Sequence, residues 1–206
     1  MYRSSCVSGI SGGKAERKIK LMSVIFDDIS DRDAALKITA EAEKGHSGYV
    51  VTPNAVICRR AFSDPLFAQL INGAAVVLPD GKGVRLGAML SGDRFLSDSA
   101  SGVHTGWLAA GYSALNKIPV FFLGGKAGVA KKAAEKLSRA FPGLRVSGYC
   151  DGFSLDEEAM AALVKKSGAR LVYVCLGSPR QEYFCKKLSD ECGTVCLALG
   201  GSLDIY

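Results

Sequence analysis

Five apolar runs in this chain each break off into a glycine or proline turn carrying polar side chains: VVTPNA, VVLPDGKG, FFLGGKAG, VCLGSPRQE and LALGGSLD. The runs are nearly continuous in Val, Ile, Leu, Phe and Cys, without polar alternation. Such strands are covered on both faces, which is the habit of a parallel sheet. Amphipathic stretches separate them, clearest in GVAKKAAEKLSRAFPG, where alanine and charge recur at helical spacing. Strand and helix in alternation specify an α/β class, and the reading is a Rossmann-like three-layer fold with a mainly parallel sheet.

The 206 residues suffice for one domain with a full core, assigned here to 21–206. Residues 1–20 read as a basic flexible tail or an artificial leader: Arg3, Lys14, Arg17, Lys18 and Lys20 face only Glu16, and this segment supplies most of the net charge of +6. No arginine-rich helix or aromatic–basic alternation points to nucleic acid. No apolar run is long enough to span a bilayer. The seven cysteines are odd in number and lack a CxxC pair, which fits buried thiols in a reducing cytoplasm. KLMSVIFDDI reads as a strand or strand pair, Ser30 and Asp31 open a helix ended by Gly45, and a second helical stretch breaks at Asp64-Pro65. FLSDSASG reads as an irregular link. The sequence stops at GGSLDIY, just after a strand, where an α/β unit normally continues into a helix, so a C-terminal appendage is expected to be missing.

In an open parallel sheet, ligands bind beyond the carboxyl ends of the strands. The five turns therefore outline one polar crater suited to a phosphorylated ligand, with backbone N–H groups and helix starts as anion donors. In FLGGKAGVA, Gly124 and Gly125 leave the strand, Lys126 reaches for an anion and Gly128 precedes a helix. The segment is neither a P-loop nor a true G-x-G-x-x-G, although Asp151 lies near the distance of a ribose-binding acid. Asp80, in LPDGKG, has two readings: a helix cap, or a general base that takes the proton of an attacking sugar hydroxyl. Thr52 and Asn54 supply neutral hydrogen bonds suited to sugar hydroxyls, or are simply turn residues. Two histidines, His46 and His104, make no metal cluster, and Asp31-Arg-Asp33 reads as a helix start rather than a metal-binding D-x-D. No metal is inferred.

VTPNA, LPDGKGV, FLGGKAGVA, CDGF, LGSPRQE and GGSLD fall in the order and spacing of the WecG/TagA/CpsF glycosyltransferases, also called glycosyltransferase family 26, which the chain resembles from about Leu21 to Ile205. The resemblance implies an inverting, metal-independent transfer of a sugar such as N-acetylmannosamine from a UDP-sugar to a polyprenyl-diphosphate-linked acceptor, in cell-wall or surface polysaccharide synthesis. It places the enzyme in the cytoplasm, peripheral at the inner face of the membrane, attached through the missing C-terminal segment. It implies no cofactor beyond the donor and makes Asp80 the base. Thr52 and Asn54 match the family's T-x-N beside the sugar, and Arg180, Gln181 and Glu182 its P-[KR]-Q-E segment. Gly124, Gly125, Lys126, Gly177, Ser178, Gly200, Gly201, Ser202 and Asp204 correspond to the nucleotide-binding rim.

Where the family usually has R-V-x-G-x-D, this chain offers Ser99 to His104, with His104 in place of the aspartate. The arginine is absent at that spacing, and Arg94 is the candidate for its role after a local insertion. Two other readings stay open: a nicotinamide-dependent oxidoreductase of Rossmann type, and a non-catalytic nucleotide-binding module. A homo-oligomer is compatible with all three.

Overall fold

A computed structural model describes residues 17–93, 95, 101–153 and 155–206. The first described residues form an antiparallel hairpin, β1 (Lys18–Leu21) and β2 (Val24–Asp27). β1 thus begins inside the segment assigned to the tail, because Lys18 and Lys20 pair with β2 instead of trailing in solvent. Ser30 caps α1 (Asp31–Lys44), its Oγ accepting the Asp33 N–H at 3.1 Å, and Gly45 ends it at φ 76. β3 (Gly48–Val51) leads to α2 (Ala55–Ser63) and α3 (Pro65–Asn72). The break falls where the sequence places it: the Asp64 carboxylate caps the Phe67 N–H, and Pro65 takes the first helical position, where its missing N–H is harmless. Then follow β4 (Val76–Val77), α4 (Lys82–Leu90), α5 (Gly102–Leu115), β5 (Pro119–Gly124), α6 (Val129–Ala140) and β6 (Arg145–Cys150). The series closes with α7 (Glu157–Ser167), β7 (Leu171–Cys175), α8 (Arg180–Cys192), β8 (Val195–Ala198) and one 3-10 turn, Ser202–Asp204.

The six strands from β3 to β8 form one sheet in the order β4-β3-β8-β7-β5-β6, every neighbouring pair parallel. Parallel pairing sends successive side chains to opposite faces, and both faces are buried. Val172 and Val174 of β7 join the core formed with α2, α3, α7 and α8, while Leu171, Tyr173 and Cys175 join the one formed with α1, α5 and α6. This is the expected three-layer α/β arrangement. β5 and β7 come close enough at their ends that a Cβ on Gly124 would lie 2.2 Å from the Cys175 carbonyl oxygen; with φ at 122, only glycine fits there.

The hairpin is fastened to the β4 edge by Asp27, buried to 4% exposure. Its Oδ2 accepts the Val77 N–H at 2.7 Å and its Oδ1 meets Lys18 Nζ at 2.6 Å. A donor that would otherwise lie open on a sheet edge is thereby satisfied. Asp27→Ala leaves the Val77 N–H without a partner and is expected to lower stability by about 1–3 kcal/mol, read from urea denaturation.

Candidate active site

Beyond the carboxyl ends of β3 and β8 lies a cavity of about 320 Å³, lined by Thr52, Asn54, Ile57, Asp80, Gly102, Val103, Ser178, Gln181, Leu199, Gly200, Gly201, Ser202 and Ile205. Residues from five distant segments meet there, four at the starts of α2, α4, α5 and α8 and the fifth in the turn after β8. Helix starts direct free N–H groups and the positive end of the helix dipole toward whatever binds.

Each wall is held by a nameable contact. Thr52 Oγ donates to the Ala198 carbonyl at 3.0 Å, tying the end of β3 to the end of β8. Gly102 sits against it: a Cβ there would lie 3.0 Å from Thr52 Cγ2. Asn54 Oδ1 caps α2, accepting the N–H groups of Val56 at 3.0 Å and Ile57 at 3.1 Å, while its amide nitrogen remains open to solvent. Gln181, 3% exposed, accepts the Gly200 N–H on Oε1 at 3.0 Å and donates from Nε2 to Glu182 Oε1 at 3.1 Å. Glu182 is itself buried; its Oε2 has no hydrogen-bond partner among the described residues, and burial pushes its carboxyl above the usual carboxylate range. Ser202 is buried and donates to the Leu199 carbonyl at 2.6 Å.

Asp80 differs from its neighbours. Its backbone N–H reaches the Pro53 carbonyl at 3.1 Å, which hangs the turn after β4 beside the turn after β3. Gly81, at φ 80, is the residue that precedes α4, and no side chain caps that helix. The Asp80 carboxylate makes no hydrogen bond among the described residues. It faces the cavity, and partial burial raises its pKa above the ordinary carboxylate value. Of the two readings open from sequence, the cap is excluded by the absence of any capping bond.

The remaining sequence-predicted residues lie outside this cavity. Gly124 and Gly125 serve the β5–β7 approach: the Gly125 N–H bonds the Cys175 carbonyl at 2.9 Å, and the Gly128 N–H bonds Asp151 Oδ1 at 3.0 Å. Asp151 thus braces the turn before α6, and the nicotinamide reading loses both its free N–H and its ribose acid. Lys126 is exposed, with no ion pair among the described residues. Arg180 turns away to Glu157 Oε1 at 3.0 Å and the Gly152 carbonyl at 3.1 Å. Gly177, at φ 77, forms the turn before Ser178. Asp204 is exposed and borders a separate depression with Lys132, Lys136 and Arg139. Arg94 lies outside the described residues. A larger groove of about 800 Å³ between α3 and α8 contains none of the residues singled out in the sequence.

Sequence reasoning missed Ile57, Gly102, Val103, Leu199 and Ile205 as lining residues, and it read Asp31 only as a helix start. Buried Asp31 accepts the Ser101 N–H at 2.8 Å, the Thr105 hydroxyl at 3.0 Å and the His104 ring at 2.6 Å, so it pins the start of α5 to the start of α1. The signal for α5 was Ser101, whose Oγ caps the His104 N–H at 3.2 Å.

The family model for "Glycosyl transferase WecG/TagA/CpsF family" matches residues 19–206. The chain belongs to the WecG/TagA/CpsF family. Among similar proteins is the N-acetylglucosaminyldiphosphoundecaprenol N-acetyl-β-D-mannosaminyltransferase of Bacillus spizizenii, 30% identical over 169 residues, which cover 82% of this chain and 65% of that protein. The protein of the same name in Bacillus subtilis is 29% identical over 160 residues, covering 76% of this chain and 61% of its own length. The chain therefore spans somewhat under two thirds of these relatives. Within this WecG/TagA/CpsF member, the match runs through every element that contributes to the cavity.

Two outcomes test the geometry. Gln181→Leu removes the partner of the half-buried Gly200 N–H and of Glu182 Oε1 and is expected to lower stability by about 1–3 kcal/mol in urea denaturation. Asp80→Asn is expected to act oppositely at neutral pH. A carboxyl whose folded pKa lies above its unfolded one loses stability as pH rises from the unfolded value through the folded one. The asparagine variant should therefore melt higher at pH 7, the difference vanishing near about pH 3, where both forms are neutral.

Proposed function

We propose that this chain carries the reacting centre of an inverting glycosyltransferase. It moves a sugar, N-acetylmannosamine or a related N-acetylhexosamine, from a UDP-sugar to a polyprenyl-diphosphate-linked acceptor. The reading draws on the family, on the relatives' activity and on one observation above the rest: Asp80 is a partly buried carboxylate without a hydrogen-bond partner among the described residues, in a cavity otherwise lined by uncharged residues. A sugar hydroxyl attacks poorly while it keeps its proton. A carboxylate raised toward neutrality is better matched to accept that proton than one at the ordinary value.

The step is an in-line displacement. The acceptor oxygen bonds the anomeric carbon as its proton passes to Asp80, and the bond from that carbon to the diphosphate oxygen breaks, its electron pair leaving with UDP. Attack from the face opposite the leaving group inverts the centre. The growing negative charge on the diphosphate is met by the N–H groups at the starts of α4 and α5, in place of a metal ion. Thr52 and Gln181 hold the strand ends that form the floor, and the free Asn54 amide is available to a sugar hydroxyl or N-acetyl group.

Asp80→Asn is expected to lower kcat by about 10²–10⁴-fold, while UDP affinity measured by calorimetry stays within a few-fold. Wild-type turnover by that variant rejects the base assignment. The acid limb of the pH–rate profile should fall above the ordinary carboxylate value, and should be missing from the residual activity of the variant. Transfer should persist in EDTA at close to its untreated rate; a chelator-sensitive reaction contradicts the metal-independent step.

A further inference from the structure

The two helices that deliver Asn54 and Asp80 to the cavity also carry apolar side chains that the described residues leave exposed. On α4, Val84 and Ala88 are buried, while Leu86, Met89 and Leu90 are 52%, 58% and 78% exposed. Their spacing puts these three on one side of the helix, with Lys82 one turn before Leu86. The start of α2 meets the start of α4: a Cβ on Gly83 would sit 3.4 Å from the Ala55 Cβ. The next residue of α2, Val56, is 76% exposed, and Arg59 follows it by three on the same side.

Charge completes the pattern. α2 (AVICRRAFS) and α4 (KGVRLGAML) hold no aspartate or glutamate, and of their four cationic residues Arg59 and Lys82 are exposed, Arg60 is exposed but lies over the Phe67 ring, and Arg85 is half-buried over the Phe95 ring. Arg59 and Lys82 have no ion-pair partner among the described residues. Apolar side chains fringed by unopposed cations are the signature of a surface that lies on anionic lipid, with the apolar groups entering the headgroup boundary and the cations meeting phosphate. Among the described residues no helix is long and apolar enough to cross a membrane.

We propose that the α2–α4 face is a membrane-contact surface, seated on anionic phospholipid so that the mouth of the Asp80 cavity opens at the level of the headgroups. The inference rests on the reading of the acceptor as a lipid-linked diphosphate. A soluble domain cannot reach such an acceptor unless its cavity meets the bilayer surface, and here the helix that follows the base is the one with the exposed apolar stripe. Seating α4 brings Asp80 within one helix length of the lipid plane.

The test is co-sedimentation of the whole chain with vesicles of phosphatidylglycerol and phosphatidylethanolamine, against vesicles of phosphatidylcholine alone. The basic N-terminal segment is present in every variant and is common to all arms. Leu86→Ser/Met89→Ser/Leu90→Ser should weaken binding to the anionic vesicles by about tenfold or more, and Arg59→Gln and Lys82→Gln by about fivefold each. All five positions are exposed, so urea midpoints and UDP affinity should match the unsubstituted chain. Vesicle binding is read without turnover, so the measurement stands even if the transfer reaction fails. If transfer is present, the triple variant should keep its rate on a water-soluble acceptor and lose it on a vesicle-borne one. Co-sedimentation of the triple variant at the wild-type level overturns the proposal. So does equal binding of the unsubstituted chain to neutral and anionic vesicles, or a triple variant whose only change is dissociation of a dimer in sedimentation equilibrium.

Discussion

The side-chain amide of Gln181 receives the Gly200 N–H on its oxygen and gives its own N–H to Glu182, so the turn after β7 and the turn after β8 cannot separate without stranding buried polar groups. Thr52 performs the same service between β3 and β8. Three strand ends are thereby fixed relative to one another before any ligand arrives. Asp80 joins them through its backbone alone, by the bond from its N–H to Pro53, which leaves its carboxylate uncommitted. A site built this way needs little rearrangement when charge develops in it.

Most of the architecture was legible because it rests on signals of short range. Continuous apolar runs identified buried parallel strands; Ser30, Asp64-Pro65 and Gly45 marked helix ends by the hydrogen bonds and dihedrals those residues favour. The polar turns also pointed to the edge of the sheet where the Asp80 cavity lies, since parallel strands place all their carboxyl ends on one side. What could not be read was how each turn uses its own donors. Gly124 and Gly125 look alike in sequence to an anion cradle, yet the Gly125 N–H closes onto Cys175, a partner 50 residues away. Arg180 faces Glu157 and not the cavity because α7 happens to start beside it. The three bonds to Asp31 join residues about 70 positions apart, and no local pattern announces them.

That last cluster bears on the two competing readings. His104 stands where the family has an aspartate, and from sequence the altered Gly102–His104 segment, together with the expected loss of the C-terminal appendage, supports a module without catalysis. In the fold the His104 ring is held by Asp31 and does not line the cavity, so the exchange is accommodated in a helix-to-helix joint. The oxidoreductase reading fails on a comparable detail, the use of Asp151 as a brace for Gly128.

Thr52, Gly102, Gln181 and Ser202 form a floor whose polar atoms are already tied to backbone or whose backbone has no room for a side chain. The rim is built otherwise, from Asn54, Ser178 and Ile205, all open to solvent. Divergence among such transferases therefore has a natural direction. A substitution at the brim leaves the scaffold intact, while one at the base of the bowl also costs the chain part of its stability.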